Sequence, residues 1–183
     1  VSSATAPLRL LVVGGSRGAR RLNTVLPAAV ARLPTGTLDV WHQTGEADLG
    51  ATRTAYADAG LTARVDPFIT DMPAAYRWAD AVVCRAGAMT IAELAAAGLP
   101  AVLVPFPHAV DDHQTANARY LADAGAAVLV ADAALNAEAL AAQLQDWAQD
   151  RERLQGMGAR ARMLALPDAA STVATHCLEL MHA

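Results

Sequence analysis

Several features are scarce in this sequence, and each scarcity removes a class of protein. No apolar run approaches the roughly 20 residues that a membrane-crossing helix needs, so a spanning segment is not expected. The opening stretch, Val1 to Pro7, is small and polar and lacks the pattern of a secretory signal. There are two cysteines, Cys84 and Cys177, and neither CxxC nor zinc spacing relates them. That excludes a disulfide framework and makes a reducing cytoplasm the simplest compartment. Aromatic residues are only 4% of the chain, while hydrophobic residues are 54%, many of them Ala. Small and aliphatic side chains in that proportion suit helices packed closely on a sheet. Charged residues are 17% and the net charge is -4, so the basic face of a nucleic-acid binder is missing. High apolar content with low net charge equally excludes a disordered chain. A length of 183 residues fits one domain. The chain begins with Val rather than Met, which points to a piece of something longer.

What is present is an alternation of strand and helix patterns. Leu8 to Val13 is a short aliphatic run stopped by Gly14-Gly15, as a buried strand would be. Ala19 to Arg32 follows with helical apolar spacing at Leu22, Val25, Leu26, Ala29 and Val30. The rhythm then repeats. Strands are expected at Leu38 to His42, Arg64 to Phe68, Ala81 to Cys84, Ala101 to Val104 and Ala127 to Val130. Helices are expected at Ala47 to Ala59, Met72 to Trp78 (capped by Asp71), Thr90 to Ala97 and Asp111 to Ala124. From Asn136 the pattern is helical to the end, with a break near Leu166-Pro167-Asp168. About six strands alternating with helices predict right-handed crossovers and a doubly wound, Rossmann-like parallel α/β sheet. Residues 1–7 read as a linker-like tail, 8–165 as the domain, and 166–183 as a terminal helix.

In such sheets ligands sit beyond the carboxyl ends of the strands. The first such loop, Gly14-Gly15-Ser16-Arg17-Gly18, has the glycines and hydroxyl of a phosphate loop, and it is equally readable as a tight turn. It is neither GxGxxG nor a Gly-Lys loop. The loop Arg85-Ala86-Gly87-Ala88-Met89-Thr90 leads into a helix whose first N–H groups suit diphosphate oxygens. Glu93, one turn inside that helix, can chelate a ribose diol or simply favour the helix dipole. The stretch His108 to Asn117 is too polar for a core segment, and His113 and Gln114 can bond sugar hydroxyls. Its other reading is a capped helix start, at Asp111 or Asp112. His108 and His113 are five apart, which is not the spacing of a helical zinc pair, so no metal site is expected. Main-chain groups at Phe68-Ile69 can read a base edge, or form an ordinary strand end. Cys84 reads as a buried small residue rather than a nucleophile, Cys177 as structural, and His42 as a satisfied wall residue. No Ser-His-Asp set and no acid/base pair of carboxylates stands at a readable spacing.

Taken in order, five stretches resemble one family. They are Leu-Leu-Val-Val-Gly-Gly-Ser-Arg-Gly-Ala-Arg-Arg-Leu-Asn (10–23), Val-Trp-His-Gln-Thr-Gly (40–45), Phe-Ile-Thr-Asp-Met (68–72), the run from Ala79 to Ala101, and Val-Pro-Phe-Pro-His-Ala-Val-Asp-Asp-His-Gln-Thr-Ala-Asn-Ala (104–118). This resembles the C-terminal, donor-binding domain of the MurG family of bacterial GT-B glycosyltransferases, over essentially the whole chain. The resemblance implies transfer of GlcNAc from UDP-GlcNAc to lipid I, giving lipid II for peptidoglycan, at the cytoplasmic face of the inner membrane. It implies Gly14, Gly15, Ser16, Gly18 and Gly87 in phosphate loops, and main-chain groups of Ile69 on uracil. It implies Ala88, Met89 and Thr90 on the phosphates, Glu93 on the ribose, and His113 with Gln114 on the GlcNAc. Arg85 is expected to support charge on the leaving diphosphate. No metal or other cofactor is implied. The family's other half, which carries the acceptor loop, the proposed base and the membrane-docking surface, has no counterpart in these residues. The terminal helix is expected to pack on that half, and this chain alone to bind donor but turn it over little. Competing readings are a separate donor-binding subunit of a split lipid-linked GlcNAc transferase, the donor domain of a diacylglycerol UDP-sugar transferase, and a nucleotide-sugar epimerase domain.

Overall fold

The computed structural model of the chain describes residues 6–14, 19–107 and 112–181. Six strands alternate with helices: β1 (Leu8–Val13), β2 (Leu38–Gln43), β3 (Arg64–Asp66), β4 (Ala81–Cys84), β5 (Ala101–Leu103) and β6 (Ala127–Leu129). Between and after them run α1 (Arg20–Val30), α2 (Leu49–Asp58), α3 (Met72–Trp78), α4 (Ala88–Ala97), α5 (His113–Ala122), α6 (Ala137–Gln149), α7 (Arg151–Met163) and α8 (Ala169–Met181). Every strand pair is parallel, and the order across the sheet is β3-β2-β1-β4-β5-β6. That is the doubly wound order, and it reverses direction between β1 and β4.

Alternation along β1 divides the core into two layers. Leu8, Leu10 and Val12 face one layer with Leu22 and Leu26 of α1 and Leu140, Leu144 and Trp147 of α6. Leu11 and Val13 face the other, with Tyr76 of α3, Ile91 and Leu94 of α4, and Leu121 of α5. Because successive side chains of a strand point to opposite faces, a nearly continuous aliphatic strand serves both layers. The end of α4 and the middle of α7 approach each other closely. A Cβ added at Gly158 would stand 2.5 Å from the Gly98 carbonyl oxygen, so only glycine allows this approach.

The element boundaries depart from the sequence expectations in ways that local chemistry explains. β3 stops at Asp66 rather than Phe68, because Pro67 has no N–H to continue the ladder. β5 likewise stops at Leu103, one residue short of Val104, which precedes Pro105. α4 starts at Ala88, two residues earlier than expected, with Gly87 as its N-cap in an extended conformation. α5 begins at His113, and Gly125 (φ +67) follows its end. Asp112 is the N-cap by position, but its carboxylate accepts from the Thr115 hydroxyl (2.7 Å) rather than from a helix amide. The helical tail is broken at Asp150 as well as near Pro167, because the Asp150 side chain caps α7 by accepting from Arg153 N–H at 2.9 Å. The Asp71 cap of α3 is present, accepting from Ala74 N–H at 2.9 Å.

At the end of the expected tail, the Ala6 carbonyl accepts from Arg151 at 2.9 Å. In α8 the side chains of Ser171, Thr172, Ala174, Thr175, Cys177 and Leu178 are exposed. Cys177, read from the sequence as structural, is exposed on this helix. Among the described residues no helix is long and apolar enough to cross a membrane.

Candidate functional site

The strand order places the switch point between β1 and β4, and the loops following those strands flank the crevice there. The β1 loop begins at Gly14, whose N–H approaches the Gln43 carbonyl at 3.4 Å. Gly15, Ser16 and Gly18 lie outside the described residues, as do His108 and Asp111.

After β4 the chain turns through Arg85, Ala86 and Gly87 into α4. The first intrahelical bond in this turn runs from Ile91 N–H to the Gly87 carbonyl (3.0 Å). The amides of Ala88, Met89 and Thr90 therefore stand at the helix start without intrahelical acceptors. Met89 is 78% exposed, so this end of the helix opens to solvent. Aligned peptide dipoles add partial positive charge there, which suits an anion.

The neighbouring loop is tied to this one by side-chain hydrogen bonds. Gln114, on the first turn of α5, accepts with Oε1 from Phe106 N–H (2.9 Å) and from Ala86 N–H (3.3 Å). Asn117, one turn on, donates to the Ala86 carbonyl at 3.2 Å. With its oxygen spent on two backbone amides, Gln114 has only its NH₂ left to offer a ligand. His113 is exposed beside it.

Arg85 is part of the same scaffold. Its Nη1 donates to Asp132 (2.6 Å) and to the carbonyls of Val104 and Pro105 (both 3.2 Å), and its guanidinium lies 5.6 Å from the Phe106 ring centroid. Asp132 thus balances its charge locally, and the side chain braces the loop after β5.

On the other side of the switch point, Ile69 is 4% exposed and Phe68 is 59% exposed. The Ile69 N–H donates to Oε1 of the buried Gln43 at 3.0 Å. A base edge reaching Ile69 therefore meets a residue whose amide is already engaged. Sequence reasoning passed over Gln43. Its signal was an amide side chain at the carboxyl end of a buried strand, where most side chains are aliphatic.

Glu93 is half-buried on the second turn of α4, and its Oε2 accepts from the Tyr76 hydroxyl at 2.9 Å. Burial first, and then that bond, hold the Tyr76 phenol protonated well above its usual range. Cys84, fully buried at the end of β4, has its thiol pushed up to about 12 by burial and then by Glu93. A thiol held that firmly protonated is no nucleophile.

His42 supports the site from beneath. It is fully buried, with Nδ1 3.1 Å from the Tyr56 hydroxyl and Nε2 3.0 Å from Asn23 Oδ1. Asn23 donates its NH₂ to the Thr44 carbonyl (3.0 Å) and to Asp48 (2.9 Å), so its oxygen must accept. Nε2 of His42 is then the protonated nitrogen, and Nδ1 accepts from Tyr56. Burial drives the pKa of His42 down to about 3, so the ring stays neutral. This network locks α1, just after the glycine loop, to the end of β2.

Two larger cavities lie outside this cluster, one of them bordering it at Ala88 and Asn117. One of about 870 Å³ sits at the amino end of the sheet, where Arg9 and Arg151 are both paired with Asp80. The other, of about 790 Å³, is a mainly apolar groove between α4, α5 and residues 164–169. Neither gathers the polar groups that converge at the carboxyl edge. Among the described residues no cluster of His, Cys, Asp and Glu could hold a metal ion.

A doubly wound domain with a helix start and a half-buried carboxylate at its switch point is the build of a nucleotide-binding domain. Residues 9–173 match the model of the glycosyltransferase family 28 C-terminal domain, and the chain belongs to that family. It is 56% identical over 175 residues to the UDP-N-acetylglucosamine–N-acetylmuramyl-(pentapeptide) pyrophosphoryl-undecaprenol N-acetylglucosamine transferase of Stutzerimonas stutzeri, covering 95% of this chain and 49% of that protein. The enzyme of the same name from Methylococcus capsulatus is 56% identical over 170 residues, covering 93% and 48%. The crystal structure of Acinetobacter baumannii MurG superposes with a TM-score of 0.85 at 47% identity, covering 93% of this chain and 49% of that one. The chain spans about half the length of the curated relatives it matches.

Proposed function

We propose that this chain is the donor half of a glycosyltransferase that moves GlcNAc from UDP-GlcNAc to a lipid-linked N-acetylmuramyl-pentapeptide, converting lipid I to lipid II. The observation that carries the reading is the start of α4 at the switch point, with Glu93 one turn inside it. Relatives above 50% identity that carry the transferase name support the choice of sugar and acceptor.

The amides of Ala88, Met89 and Thr90, with the Thr90 hydroxyl, receive the diphosphate, together with the loop of Gly14, Gly15, Ser16 and Gly18. As the glycosidic bond breaks, negative charge grows on the departing UDP, and these fixed donors stabilise it without reorganising. No metal is needed in this scheme. Glu93 accepts from the ribose hydroxyls. The base meets the Ile69 carbonyl beside the exposed Phe68 ring. Gln114 donates its NH₂ to a sugar hydroxyl, with His113 next to it. Arg85 acts by holding the Phe106 loop, its charge toward the diphosphate offset by Asp132.

The base that activates the acceptor, and the contacts with lipid, belong to the other half of the enzyme, on which α8 packs. The whole protein works at the cytoplasmic membrane face. This half alone binds donor and turns it over poorly, since catalysis needs both substrates held in one cleft. Glu93→Ala tests the assignment. UDP binding should weaken by about 1–3 kcal/mol, the cost of hydrogen bonds lost to a charged group. Unchanged affinity removes Glu93 from the ribose.

A further inference from the structure

Glu93 has three side-chain torsions, and a half-buried carboxylate on a helix samples several rotamers unless a neighbour holds it. Tyr76 is that neighbour. It stands on α3 with 8% exposure, its ring packed in the same core layer as Ile91 and Leu94. Its hydroxyl donates to Glu93 Oε2 at 2.9 Å. The phenol has one proton to give, and it gives it to this oxygen. One lone pair of Oε2 is thereby used. The second lone pair of Oε2 and both of Oε1 remain, so the carboxylate still accepts from two hydroxyls.

The connection also spans two elements. α3 is entered directly from the loop containing Ile69, whose amide Gln43 holds, and Glu93 belongs to α4. One phenol hydroxyl thus ties the helix on the base side of the crevice to the helix that presents the carboxylate. This rests on the reading that Glu93 chelates the ribose. On that basis we infer that Tyr76 is a positioning residue, which sets the Glu93 carboxylate for a vicinal diol and so sets the preference for ribonucleotide over deoxyribonucleotide donors.

The test compares UDP with 2′-deoxy-UDP by calorimetric titration of this chain. Tyr76→Phe removes the hydroxyl and keeps the ring in the core, and thermal melts check that the variant stays folded. Freeing one rotamer-rich side chain should weaken UDP binding roughly 2- to 10-fold. Binding of 2′-deoxy-UDP should fall much less, so the ratio of the two affinities contracts. In the Glu93→Ala background the same substitution should do nothing further. Equal losses for both nucleotides would mean that Tyr76 acts only through packing, and would overturn the inference. If the unaltered chain binds both nucleotides alike, the ribose reading itself fails and the positioning role fails with it. If the unaltered chain discriminates, Glu93→Ala abolishes the discrimination and Tyr76→Phe preserves it, then the positioning role alone is refuted.

Discussion

Gln114 offers the sharpest separation of structural from ligand-binding work, because its two amide atoms have different partners. The oxygen clamps Phe106 N–H at 2.9 Å and Ala86 N–H at 3.3 Å. Ala86 is fully buried, whereas Phe106 is 43% exposed. In Gln114→Ala the Phe106 amide can turn to water, but the Ala86 amide is left without its acceptor. A buried donor stranded in this way costs about 1–3 kcal/mol. Unfolding by urea should report that loss, and binding of both UDP and UDP-GlcNAc should weaken, because the loop leading into α4 is no longer held. Gln114→Glu behaves differently. Its carboxylate still accepts from both amides, so stability stays close to that of the unaltered chain. Its added charge repels equally two ligands of the same charge, UDP-GlcNAc and the β-methyl ester of UDP. Only the lost NH₂ donor distinguishes them, so the advantage of UDP-GlcNAc over that ester should shrink by roughly 2- to 10-fold. A Gln114→Ala chain as stable as the original would refute the clamp. A Gln114→Glu chain with an unchanged ratio would refute the sugar contact.

Three further outcomes are expected. His42 refuses a proton in the folded chain down to about pH 3 but takes one up near its ordinary value of 6.5 when unfolded. The unfolded state then binds more protons, so stability should fall by about 1 kcal/mol between about pH 7 and about pH 5.5, and His42→Gln should flatten that slope in urea titrations. Gly158→Ala places a Cβ 2.5 Å from the Gly98 carbonyl oxygen and forces α7 off α4; a destabilisation of about 1–3 kcal/mol is expected by thermal or chemical unfolding, and a neutral result would mean the two helices separate freely. Treatment with EDTA should leave UDP-GlcNAc affinity unchanged, and a large drop would reveal a metal in the donor site.

Much of this architecture was legible in the residues because its signals are local. Aliphatic runs such as Leu8 to Val13, helix stops such as Gly60 and Gly98, and the Asp71 cap each act within a few residues. The alternation of strands and helices pointed to a doubly wound sheet, whereas the strand order that sets the switch point is visible only in the fold. Expectations slipped where a backbone group decides the outcome, as at Pro67, which ends β3, and at Gly87, which lets α4 begin two residues early. Contacts between distant positions were not legible at all. Gln43 with Ile69, Tyr76 with Glu93, and Gln114 with Phe106 and Ala86 are joined only by the fold. These are the contacts that turn a row of loops into a site. Arg85 shows the same limit, since its partner Asp132 lies 47 residues away.

The central claim is that this half alone carries a donor site that recognises UDP-GlcNAc. The most direct measurement is calorimetric titration of the chain with UDP-GlcNAc, UDP-GalNAc and UDP side by side. Binding that prefers UDP-GlcNAc over its C4 epimer is the predicted result. Absence of binding to all three by the folded chain, or equal binding of both epimers, would contradict it.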